Sequence, residues 1–97
     1  MILKVAVGIP AFNEEKNIAK IIVQLQQIVD IVIVCNDGSS DLTKEISEKM
    51  GVEVINHSKN LGYGAGIRSI FLQASKMDID ILVTFDADGQ HRIEDIQ

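Results

Sequence analysis

Four short apolar runs rich in β-branched residues alternate along this chain with segments of helical periodicity. The runs are Val5 to Ile9, Ile31 to Cys35, Val52 to Ile55, and Ile79 to Phe85. Between them Ile18, Ile21, Ile22, Leu25 and Ile28 recur at helical spacing. So do Leu42, Ile46 and Met50, and then Ile67, Ile70, Phe71, Ala74 and Met77. Ile93 to Gln97 reads as the first turn of a further helix. Strands this apolar, joined by short connections, need cover on both faces, so the pattern predicts a three-layer α/β/α fold around a parallel sheet. Right-handed crossovers give the strand order 3-2-1-4. Ligands of such sheets bind outside the carboxyl ends where the order reverses, here between the first and fourth strands.

The loops at those ends are polar in a repeated way. The first run is interrupted by Pro10 and followed by Ala11-Phe12-Asn13-Glu14-Glu15, with Asn13 expected to cap the first helix and the two acids to lie in its first turn. The second run ends in Asn36-Asp37-Gly38-Ser39-Ser40-Asp41, residue types that also make turns. After the third run, Gly62-Tyr63-Gly64-Ala65-Gly66 opens a helix, where bare N–H groups attract anions. Its spacing matches neither a dinucleotide fingerprint nor a phosphate-binding P-loop. The fourth run ends in Asp86-Ala87-Asp88-Gly89-Gln90. Packing does not call for two carboxylates there. They repel unless a cation or a proton intervenes, and an oxygen-rich corner suits a hard divalent metal carrying phosphates on its far side. The glycine comes too early for an EF-hand.

Composition narrows the partners. Ninety-seven residues make one domain, residues 1–97, and 46% hydrophobic with 24% charged residues is ordinary for a globular one. A net charge of −5 argues against nucleic acid, which needs clustered Lys and Arg. The single cysteine, Cys35, lies in an apolar run and reads as a small buried hydrophobe. His57, His91, Lys59 and Arg68 read as surface residues, although His91 follows Asp88 closely enough to reach a bound phosphate. No apolar stretch approaches the roughly 20 residues of a membrane span, and the N-terminus has no charged leader, so the expected location is cytoplasmic, including the cytoplasmic face of a membrane.

Together the four blocks resemble the N-terminal half of a family 2 glycosyltransferase of the GT-A fold, in the branch of dolichyl- and polyprenyl-phosphate sugar synthases. Ile9 to Glu15, Asn36 to Asp41, Asn60 to Gly66 and Asp86 to His91 carry the likeness, in order, on four consecutive strand ends. The resemblance implies binding of a UDP- or GDP-sugar, with transfer to an acceptor hydroxyl or a polyprenyl phosphate. It assigns nucleotide contacts to Pro10, Ala11, Phe12, Asn13, Glu14, Asp37, Gly64, Asp86, Ala87 and Asp88. Asp37 would meet the base, and Asp86, Asp88 and Gln90 would hold Mg²⁺ or Mn²⁺ against the donor diphosphate. The family's second block commonly begins Asp-Asp-Gly, whereas this chain has Asn36.

The resemblance also implies that the acceptor half and its catalytic base are absent from these residues. An exposed sheet edge would then favour self-association. Two other readings stand beside the donor-binding one. A haloacid-dehalogenase-type phosphatase would use Asp86 as nucleophile and Asp88 as acid. A noncatalytic nucleotide-binding or assembly module would bind without transfer.

Overall fold

The computed structural model describes residues 2–87. Four parallel strands, β1 (Val5–Ala11), β2 (Ile31–Asp37), β3 (Glu53–His57) and β4 (Ile81–Thr84), form one sheet in the order β3-β2-β1-β4. Helices α1 (Ile18–Gln26), α2 (Thr43–Lys49) and α3 (Tyr63–Ala74) make the crossovers. The sheet is the predicted one, with helices on both faces. Asp88, Gly89, Gln90, His91 and the anticipated last helical turn lie outside the described residues.

Side-chain alternation divides the core. Val7, Ile9 and Ala11 of β1 and Val32 and Val34 of β2 point to the α1 side, where Ile18, Ile21, Ile22 and Leu25 meet them. Ala6, Ile33 and Cys35 point the other way and meet Ile70 of α3. Complete burial of each Ile or Leu contributes roughly 1.5–3 kcal/mol, so the stripe of α1 does most to hold that layer.

Pro10 does not interrupt the first strand. It lies inside β1, opposite Cys35 of β2. Gly8 directs its carbonyl to Phe85 N–H, on the β4 side, and Pro10 two residues on shares that direction. The β1–β4 ladder has ended at Gly8 and Thr84, so the N–H that proline lacks has no strand partner to lose.

Two helical stripes also differ from expectation. Leu42 is 56% exposed because it precedes the first turn of α2, and Thr43 and Ser47 are buried while Ile46 and Met50 pack against the core as expected. Phe71 is 55% exposed, since Ile70, Ala74 and Met77 already fill the stripe of α3 that faces the sheet.

Candidate functional site

The carboxyl edge of the sheet gathers the polar loops. Asp37 follows Ile33 and Cys35 at two-residue steps, so it emerges on the α3 side of the sheet, and Pro10 does the same after Ala6 and Gly8. Asp86, half-buried, leaves β4 just after the Phe85-to-Gly8 hydrogen bond that holds β4 beside β1. A cleft of about 200 Å³ opens here, lined by Pro10, Ala11, Phe12, Asp37, Asn60, Gly62 and Tyr63. Phe12 and Tyr63 remain exposed at its walls, offering flat apolar faces. A slightly larger hollow, about 260 Å³, sits at the opposite edge around Asp30, Gly51 and Met77. It lies at the amino ends of the strands, away from every strand-to-helix loop, and is not where chemistry gathers.

Asp37 anchors the cleft. Its Oδ1 accepts Leu61 N–H and His57 Nδ1–H, both at 2.8 Å, and its Oδ2 accepts Gly62 N–H at 2.9 Å. Burial pushes the carboxyl pKa up, but the bonds from His57, Leu61 and Gly62 and the nearby imidazole outweigh it, leaving Asp37 below the usual carboxylate range. The loop it holds passes directly over Gly38, whose φ is +72°, and any Cβ at Gly38 would strike the Lys59 and Asn60 backbone.

His57 is therefore not the isolated surface residue anticipated. It pairs with Asp37, lies 2.7 Å from Ser69 Oγ through Nε2, and has Cys35 Sγ at 3.7 Å. Its placement was readable: two residues beyond the inward Ile55 on β3, it shares that face. Cys35 behaves as expected, fully buried, with desolvation and then the Asp37 charge pushing its thiol up to about 11.

The first block is built differently from its anticipated form. Asn13 does not cap α1, which begins four residues beyond Glu14 with Asn17 at the cap position and no side-chain cap bond. Glu14 and Glu15 precede the helix, and the Glu14 carbonyl accepts Asn17 and Ile18 N–H to close a turn. Asn13 instead adopts φ +53° and accepts Ser40 N–H at 2.8 Å, while its own N–H donates to Ser39 Oγ at 2.9 Å. Glu14 N–H donates to Thr43 Oγ1 and Glu15 N–H to Asp41 Oδ2. The first two loops are thus clasped together. Asp41, which also accepts the Thr43 hydroxyl at 2.6 Å, is raised by burial but lowered further by these bonds, for a net depression.

Of the residues singled out from sequence, Pro10, Ala11, Phe12 and Asp37 line one cleft. Ala11 and Ala87 turn their side chains into the core. Asn13 and Glu14 stand in the clasp beside the cleft, and Gly64, with open space above it, lies in the first turn of α3. Asn60, Gly62 and Tyr63 also border the cleft and had no role assigned. The glycine-rich helix start was their signal. Asn36, buried, uses both ends of its amide, accepting Ser39 N–H and donating to Asn56 Oδ1 at 3.0 Å.

Of the residues expected to hold a metal, Asp86 emerges at the carboxyl edge of the sheet, and Asp88 and Gln90 lie outside the described residues. Among the described residues no three His, Cys, Asp or Glu side chains group closely enough to hold an ion. The sequence donor set of two carboxylates and an amide is all hard oxygen, which fits Mg²⁺ or Mn²⁺.

Residues 6–97 match the model of the family described as glycosyl transferase family 2. An uncharacterized protein of Methanocaldococcus jannaschii is 40% identical, over 97% of this chain and 39% of its own length. The UDP-N-acetylglucosamine–dolichyl-phosphate N-acetylglucosaminyltransferase of Methanococcus voltae is 36% identical, over 91% of this chain and 42% of its own. The chain thus spans about two fifths of these curated relatives. Among solved structures, glucosyl-3-phosphoglycerate synthase from Mycobacterium tuberculosis, in complex with Mn²⁺, UDP and glucosyl-3-phosphoglycerate, superposes with a TM-score of 0.71 at 26% identity. That match covers 89% of this chain and 34% of the other.

Proposed function

Because the chain belongs to glycosyl transferase family 2, we propose that its cleft binds the nucleoside-diphosphate-sugar donor of a transfer to an acceptor hydroxyl or polyprenyl phosphate. The observation that carries this reading is the buried Asp37 carboxylate in a cleft with exposed aromatic walls, on the sheet edge from which Asp86 emerges. Asp37 on β2 and Asp86 after β4 flank β1 on either side. Two strand spacings, roughly 10 Å, separate such positions, a length that a nucleoside diphosphate bridges.

In this arrangement Phe12 and Tyr63 enclose the base and Asp37 accepts a base N–H. Asp86, Asp88 and Gln90 are the residues that would hold the metal against the diphosphate. Mg²⁺ or Mn²⁺, when bound, neutralises charge on the departing nucleoside diphosphate. The complexes of glucosyl-3-phosphoglycerate synthase with Mn²⁺ or Mg²⁺ and UDP support the same use of a metal here. The dolichyl-phosphate relatives support a lipid phosphate acceptor, which would place the reaction at a membrane surface, on the cytoplasmic face. No helix among the described residues is long and apolar enough to cross a membrane.

Calorimetric titration with UDP and GDP, with and without Mn²⁺, tests the reading. Binding of at least one nucleotide should depend on the metal. Asp86→Asn and Asp88→Asn should each weaken it by about tenfold, near 1.4 kcal/mol, the scale of a lost charged contact. Equal binding by wild type and both variants would remove the two carboxylates from the site and the metal with them.

A further inference from the structure

Resting on the donor-site reading, we infer that the way Asp37 is held makes this cleft a reader of uracil-type bases and not of guanine. A carboxylate has about four lone-pair positions, two on each oxygen. In this chain Oδ1 has both occupied, by Leu61 N–H and His57 Nδ1–H, and Oδ2 has one, by Gly62 N–H. One acceptor position remains, on Oδ2.

A single acceptor fits one base donor. Uracil presents an imide, one N3–H between two carbonyls, and meets Asp37 with that one hydrogen bond. The flanking carbonyls then need donors, and Asn60, which lines the same cleft, carries a side-chain amide. Guanine presents N1–H and its exocyclic amine side by side, a pair that calls for both oxygens of a carboxylate. Here Oδ1 is full, so one guanine donor would be buried without a partner, a loss that makes polar sites discriminate strongly. Cytosine turns a ring-nitrogen lone pair toward the same carboxylate and is disfavoured by repulsion.

His57 is the positioning residue for this selectivity. A carboxylate that only accepts requires the proton on His57 Nδ1, and His57 Nε2 lies in hydrogen-bond reach of the Ser69 hydroxyl, 2.7 Å away. Ser69 stands on α3 and Asp37 on β2, so this relay ties the rotation of the carboxylate to the helix that covers the sheet. With the ring removed, two backbone N–H groups alone hold Asp37, and it can turn to offer more of both oxygens.

The test is titration of the whole chain, with Mn²⁺ present, by UDP, dTDP, CDP and GDP. UDP should bind at least tenfold more tightly than GDP or CDP. Affinity for dTDP, which carries the same imide on a deoxyribose, tells whether the ribose of UDP is read as well; it too should exceed that for GDP and CDP. His57→Phe should narrow the UDP-to-GDP ratio at least threefold. His57→Gln, which keeps a donor, should restore most of it, and Ser69→Ala should narrow it less than His57→Phe. GDP binding as tight as UDP would overturn the inference while leaving the donor site standing. Binding of none of the four would overturn the donor-site reading itself. A ratio unmoved in Ser69→Ala and in whichever His57 variant folds would remove His57 from base selection.

Discussion

Gly8 has no room for a side chain. A Cβ at this position in the middle of β1 would run into the Cγ2 methyl of Ile70, which is fully buried on α3. Gly66 repeats the close approach from the helix, where a Cβ would come within 3.3 Å of Pro10 Cβ. These two contacts set how low α3 rides over β1, and so how near its glycine-rich start lies to the cleft. Gly8→Ala should cost about 1–3 kcal/mol, as overpacking does, read as a lower urea midpoint with an unchanged slope. An unchanged midpoint would mean that Ile70 yields freely and that the helix height is set elsewhere.

At the scale of elements, the β1–α1 and β2–α2 connections behave as one unit through Asn13, Ser39, Ser40, Asp41 and Thr43. Asp41 has a depressed pKa in the fold, so its contribution is present above the ordinary carboxylate value of about 3.9 and is lost as pH falls through the folded value. Asp37 acts in the same sense. Asp41→Asn should therefore lower the urea midpoint at pH 7 and leave a much smaller gap from wild type at pH 3. A gap that persisted in acid would show that Asp41 acts through packing and not through charge.

The clasp also marks where sequence reading stops. Continuous apolar runs were enough to place every strand, because a parallel sheet is buried on both faces, and helical spacing was enough to place the buried face of α1. Asn13 and Glu14 stood out in the sequence, but not as partners of Ser40 and Thr43, because capping chemistry and loop-to-loop bonding draw on the same side chains. Leu42 and Phe71 misled since exposure depends on what covers a helix, and Thr43 and Ser47 face inward only because their hydroxyls find partners at Asp41 Oδ1 and the Thr43 carbonyl. Asp37 was legible from its block. The three donors that hold it come from residues 20 to 25 positions away, and no local pattern announces them.

For the whole molecule, the strand order sets the site. Had β4 joined beside β3, Asp37 and Asp86 would not stand on either side of β1, and the two carboxylates would be separated along the sheet edge. Ligand binding and folding should consequently be linked. With Mn²⁺ present and nucleotide at about a hundredfold above its dissociation constant, mass action adds roughly 2.7 kcal/mol. That should raise the melting temperature of a domain this size on the order of 10 °C. The shift should vanish without the metal; a shift of equal size in its absence would place the diphosphate contacts on protein groups alone.

The hydrogen bonds that join Asn13 to the Ser39 hydroxyl and the Ser40 backbone N–H have one more consequence, thermodynamic in kind. Two segments that border the cleft are already immobilised before any nucleotide arrives, and a third is fastened by Asp37 to the same strand end. Ordering entropy that a looser pocket would lose on association has here been lost during folding. On the proposed donor-site reading, nucleotide affinity would therefore be governed by the quality of a few contacts and by desolvation, with little left to be gained by stiffening the loops.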